Sequence, residues 1–138
     1  MQTISMTKPE AKVFKMLAEQ EIARRDPLWL VDSGYLHIKT KAGELVPFVL
    51  NKAQRRLHEK IRELWEANKM IRLFVLKARQ LGVSTYIEAL IYSITSRLDN
   101  QNSTIISDDL DGSNYIFEMA KLYQEKLPKH LSVKTKKR

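Results

Sequence analysis

A lysine, an arginine, a glycine and two hydroxyls are spaced in this chain as the chemistry of phosphates would use them. They lie in Lys77-Ala78-Arg79-Gln80-Leu81-Gly82-Val83-Ser84-Thr85, after the apolar run Ile71-Arg72-Leu73-Phe74-Val75-Leu76 and before an amphipathic helix pattern. A loop between a buried strand and a helix N-terminus turns backbone N–H groups inward, and with the positive end of the helix dipole they cradle phosphate oxygens. Gly82 lets the backbone come close, Ser84 is placed to ligate a Mg²⁺ ion bridging the β- and γ-phosphates, and Thr85 is a second hydroxyl. The standard phosphate loop reads GxxxxGK followed by Ser or Thr. Here Lys77 stands where its first glycine would be and Val83 where its lysine would be, so Lys77 and Arg79 are the cations available within the loop. A crossover with no ligand also needs a small residue at its turn and a hydroxyl near the helix start, so Gly82 to Thr85 alone is compatible with a plain turn.

The elements that must position this loop follow from the patterning. Glu10 to Arg25 predicts an amphipathic helix with Phe14, Leu17, Ala18 and Ile22 near one face, stopped by Asp26-Pro27. Tyr35 to Lys41 and Glu44 to Phe48, divided by Ala42-Gly43, alternate as a hairpin does. Ala53 to Asn68 reads as a helix with Leu57, Ile61, Leu64 and Trp65 recurring on one face, and Trp65 as a core anchor. Ile71 to Leu76 reads as a parallel strand buried on both faces. Ile87, Leu90, Ile91, Ile94 and Leu98 mark a crossover helix. A short strand over Thr104 to Ser107 then returns, in a right-handed parallel β-α-β unit. Ile116, Met119, Ala120, Tyr123 and Leu127 define a second covering helix ending before Pro128. Asp108, Asp109 and Asp111 read most simply as a polar turn with Gly112 rather than as the acidic end of a Walker B strand.

Taken together, these segments resemble the tailed-phage terminase large subunits, the ATPases that pump DNA into capsids. The string KARQLGVST is similar to that family's deviant Walker A loop, in which the lysine sits at the start and an arginine two residues later. Val46-Pro47-Phe48-Val49-Leu50-Asn51-Lys52-Ala53-Gln54 looks like its adenine-recognition segment. Ser103-Thr104-Ile105-Ile106-Ser107, with Asn114-Tyr115-Ile116-Phe117-Glu118 and Leu127-Pro128, is similar to its second strand and helix. The likeness runs from about Tyr35 to Pro128, in the same order.

The resemblance implies an α/β fold, a truncated P-loop NTPase whose parallel β-α-β unit and covering helices follow a helix and a hairpin. Residues 1–34 would be an N-terminal helical arm, 35–128 the front of the ATPase domain and 129–138 a basic tail. It implies ATP and Mg²⁺ as cofactors. Lys77 would neutralise the β/γ-phosphates, Arg79 would act in cis on the transferring phosphoryl group, and Ser84 would hold Mg²⁺. Gln54, Lys77, Gly82, Val83, Ser84 and Thr85 would bind the nucleotide. For Gln54 the residues themselves leave two readings, an exposed helix residue or a carboxamide pairing with the N6 donor and N7 acceptor of adenine. The implied partners are double-stranded viral DNA, the small terminase subunit and the portal protein, in the cytoplasm of a bacterial host. The family's Walker B strand and nuclease domain have no counterpart here, so the chain is expected to bind nucleotide without hydrolysing it appreciably.

Composition bounds these readings. A chain of 138 residues, 43% hydrophobic, has room for one domain. No apolar run reaches the length of a membrane span, and the N-terminus lacks a signal-peptide pattern. With no cysteine there is neither a disulfide nor a thiolate zinc site, and His37, His58 and His130 have no metal-ligand spacing. Of the net charge of +8, Lys134, Lys136, Lys137 and Arg138 supply four units, which would add salt-dependent affinity for nucleic acid. A non-catalytic nucleic-acid-binding or assembly module is therefore the alternative function. The front of a superfamily-two helicase is a further one, disfavoured because helicase loops keep the Gly-Lys pair.

Overall fold

An aspartate followed by a proline sets the first corner of the fold. In the computed structural model, which describes residues 6–76, 80–107 and 110–133, helix α1 (Lys8–Arg25) ends at Asp26 and helix α2 (Pro27–Asp32) begins directly after it. The pair that reads as a stop for α1 is equally a start. Proline at the first helical position has no N–H to lose, and the Asp26 carboxylate accepts from the Leu28 N–H at 3.1 Å. Asp26 also accepts from the Arg62 guanidinium at 2.8 Å, and Asp32 from Arg55 at 2.7 Å. Both pairs tie α2 to helix α3 (Lys52–Glu66).

Leu28, Leu30 and Val31 on α2 are fully buried and form the centre of the core with Leu36, Ile61, Tyr86, Ala89 and Tyr123. Helix α4 (Val83–Arg97) lies against α2, α3 and helix α5 (Leu110–Lys126). Strands β1 (His37–Lys39) and β2 (Leu45–Pro47) form the expected antiparallel hairpin, with Ile38 opposite Val46. It closes at Gly43, whose φ of +83° suits a residue without Cβ. Trp65 packs against the core from its edge, as the pattern of α3 requires.

Three features differ from the patterning. On α1, Phe14, Leu17 and Ile22 are exposed, and the helix is held by other groups. The Glu19 carboxylate accepts from Tyr35 Oη at 2.7 Å and pairs with His130 Nε2 at 2.7 Å, while Ala23 buries against α2. Residues 71–76 and 104–107 carry no strand hydrogen bonding, and Phe74, Leu76 and Ile106 stand open to solvent. A parallel pair is stable only between covering layers, and no further strand flanks these segments among the described residues. Asp111 and Gly112 lie inside the first turn of α5 rather than in a turn, because an acidic side chain there favours the helix dipole. Asp108 and Asp109 fall outside the described residues. Finally, no helix among the described residues is long and apolar enough to cross a membrane.

Candidate functional site

The loop is anchored from α3. Asn51 is the N-cap of that helix, and its side-chain oxygen accepts from the Gln54 N–H at 2.9 Å while Gln54 Oε1 accepts from the Asn51 N–H at 2.8 Å. This reciprocal capping box leaves each amide nitrogen free to donate elsewhere. Both reach across to the loop. Asn51 Nδ2 donates to the Leu81 carbonyl at 3.1 Å and Gln54 Nε2 to the Gly82 carbonyl at 2.7 Å. Gln54 is only 4% exposed, so the start of α3 and the end of the loop form one hydrogen-bonded unit.

Gly82 is required there on two counts. Its φ is +66°, a left-handed conformation that costs an L-residue, and a Cβ would sit 2.8 Å from Gln54 Nε2. It is also the N-cap of α4, and having no side chain it leaves the first-turn amides of that helix without a side-chain cap. The positive end of the helix dipole therefore lies at the head of α4 with no side-chain cap on its amides.

The remaining expected residues divide around this point. Val83 is buried, Ser84 is exposed beside it, and Thr85 is half-buried with its carbonyl accepting from Tyr123 Oη at 3.4 Å. Lys77 and Arg79 lie outside the described residues. Gln54 is buried, and it lines neither of the two hollows beside α4. Its carboxamide oxygen and one N–H are engaged by Asn51 and Gly82. The Asn-x-x-Gln spacing is the signal that could have revealed this, since it matches a capping box at a helix start.

Two hollows flank the head of α4. On the Thr85 side a cleft of about 390 Å³ opens between the hairpin and α5, with Lys39, Lys41, Tyr115 and Glu118 on its walls. On the Ser84 side a cavity of about 340 Å³ is bounded by Ser84, Glu88, Ile106, Ser107 and Ile116. Glu88 is 6% exposed, and burial pushes its carboxyl up to about 7. Sequence patterning passes over Glu88, a single acid inside an otherwise apolar helix face. Behind the site, His58 is buried with Nδ1 3.1 Å from Tyr86 Oη, and desolvation holds its pKa below the usual histidine range.

The donors present suit a Mg-nucleotide. First-turn amides without a side-chain cap are donors of the kind phosphate oxygens take, and the oxygens of Ser84 and Glu88 are hard donors of the type Mg²⁺ takes. Comparison of the chain with family models, curated proteins and solved structures gives no significant match.

Proposed function

We propose that the chain is the ATP-binding front portion of a tailed-phage terminase large subunit, acting in the cytoplasm of a bacterial host. The observation that carries the reading is the clamp between α3 and the loop. Asn51 and Gln54, from the segment that resembles the adenine-recognition motif, hydrogen-bond to Leu81 and Gly82 and hold the uncapped head of α4 in place. A plain connecting turn has no need of two side-chain amide contacts, one of them from the buried Gln54, reaching it from a helix start about thirty residues away. In this reading the α4 amides bind phosphate oxygens, Lys77 and Arg79 supply the positive charge, and Ser84 binds Mg²⁺. The metal, when bound, offsets the charge between the β- and γ-phosphates. Pairing of Gln54 with adenine would require its carboxamide to exchange a present partner for the base.

A fluorescent ATP analogue tests this. Binding is expected to depend on Mg²⁺ and to weaken at least tenfold in Lys77→Ala and Gly82→Val, with no phosphate release above the Lys77→Ala background. Binding that ignores both substitutions would overturn the reading. The net charge of +8 favours the second reading, a nucleic-acid-binding module. Its mark would be DNA affinity that falls steeply with salt and is indifferent to both loop substitutions.

A further inference from the structure

Glu88 is a buried acid without a complete set of partners. It is 6% exposed, its Oε2 has no hydrogen-bond partner, and it forms part of the wall of the 340 Å³ cavity beside Ser84 and Ser107. An unpaired carboxylate oxygen in such surroundings is costly, and native structures rarely retain one without a ligand or a function. The remaining walls are supplied by Val83, Ile87, Ile105, Ile106 and Ile116, none of which can satisfy it by a side-chain hydrogen bond.

Helix geometry gives the acid a direction. Side chains of α4 lean toward its N-terminus, so a residue at i+4 covers the turn above it. Glu88 follows Ser84 by four positions, and both line the same cavity. A carboxylate and a hydroxyl one turn apart, on residues that border one hollow, are two hard oxygens of the type a small divalent cation binds, with water or phosphate oxygens filling its other positions. Among the described residues no group of three His, Asp or Glu side chains offers a competing metal site.

We propose that Glu88 coordinates a divalent cation together with Ser84, so that α4 itself supplies a carboxylate ligand to the site. The role of Ser84 rests on the nucleotide reading above, whereas the participation of Glu88 follows from the cavity. A charged carboxylate paired with a cation also resolves the orphaned oxygen, which a neutral acid in an apolar wall does not.

Mn²⁺ serves as the probe, added to the isotopically labelled full chain alone and in the presence of ADP. The expected result is selective paramagnetic broadening of the Ser84, Glu88 and Ser107 amide signals in at least one arm. Glu88→Gln should then need at least about tenfold more Mn²⁺ for the same broadening, since even residues behind the ligands of metal sites change affinity 10–100-fold. Equal broadening in Glu88→Gln, broadening centred elsewhere, or none in either arm overturns the proposal. Should Glu88→Gln fail to fold, the wild-type broadening pattern decides alone. The nucleotide reading fails separately, through the ATP analogue and Lys77→Ala. Mn²⁺ bound at Glu88 without nucleotide would uphold the cation site and leave that reading to its own test.

Discussion

At the scale of single residues, Gly82 has the narrowest tolerance. Its left-handed φ and the 2.8 Å approach of Gln54 Nε2 both oppose any side chain. Gly82→Ala should lower unfolding stability by about 1–2 kcal/mol in urea melts, the range for placing an L-residue in that conformation. On a Gln54→Ala background the same substitution should cost less, because the amide that the new Cβ would meet is gone, and the deficit from additivity measures the contact. Gly82 itself was legible from sequence as the close-approach residue of the loop. The identity of what approaches it was not, since thirty residues of chain separate Asn51 from Leu81 and no local pattern encodes the distance.

Glu88 carries a pH signature as well. Its carboxyl is raised from 4.5 to about 7 in the folded chain. Below pH 4.5 both folded and unfolded forms hold the proton. Between 4.5 and 7 the unfolded chain releases it while the folded chain keeps it, so stability falls as pH rises, by about 3 kcal/mol across the window. Above 7 the loss is complete. In chelated buffer, Glu88→Gln should therefore gain stability relative to wild type as pH rises from 4.5 to 8, read as the difference in urea midpoints. His58 acts in the opposite sense, because its depressed pKa gives a contribution that is present above 6.5 and lost as pH falls. Taking the wild-type and Glu88→Gln difference at each pH removes the His58 part.

At the scale of elements, the corner between α1 and α2 joins three helices through one side chain. Asp26 caps α2 through Leu28 N–H and receives Arg62 of α3. Asp26→Ala removes the cap and leaves Arg62 without that partner, and a loss of about 2 kcal/mol is expected. Glu10→Ala, at the exposed capping box of α1, should cost less than about 1 kcal/mol, because it lies at a helix end distant from the core. A comparison of denaturation midpoints for the two variants checks the ranking. Sequence gave α3, α4 and α5 to within a few residues, except that α5 begins earlier than its apolar spacing suggested. It missed α2 because Asp-Pro ends one helix and begins the next by the same chemistry.

At the scale of the whole molecule, Phe74, Leu76 and Ile106 are exposed apolar side chains on segments patterned as strands. Their burial is not needed to hold the present core, which centres on α2 and α4. A Phe74→Lys, Leu76→Lys double variant should thus unfold within about 0.5 kcal/mol of wild type. The same variant should show weaker concentration-dependent self-association by light scattering, since exposed strand-forming apolar segments template contacts between chains.

The sequence by itself determined the helices with clear 3.6-residue periodicity, the hairpin, the spacing of Gly82, Ser84 and Thr85, and the basic charge, all properties carried by neighbouring residues. Only the tertiary structure decided which face of α1 is buried, that Gln54 and Asn51 hold the loop, and that Glu88 shares a cavity with Ser84. It also decided that residues 71–76 and 104–107 run without strand pairing. Each of these depends on groups far apart in the chain meeting, and the free energy of such meetings comes from burial and hydrogen bonding across elements, which local spacing does not record.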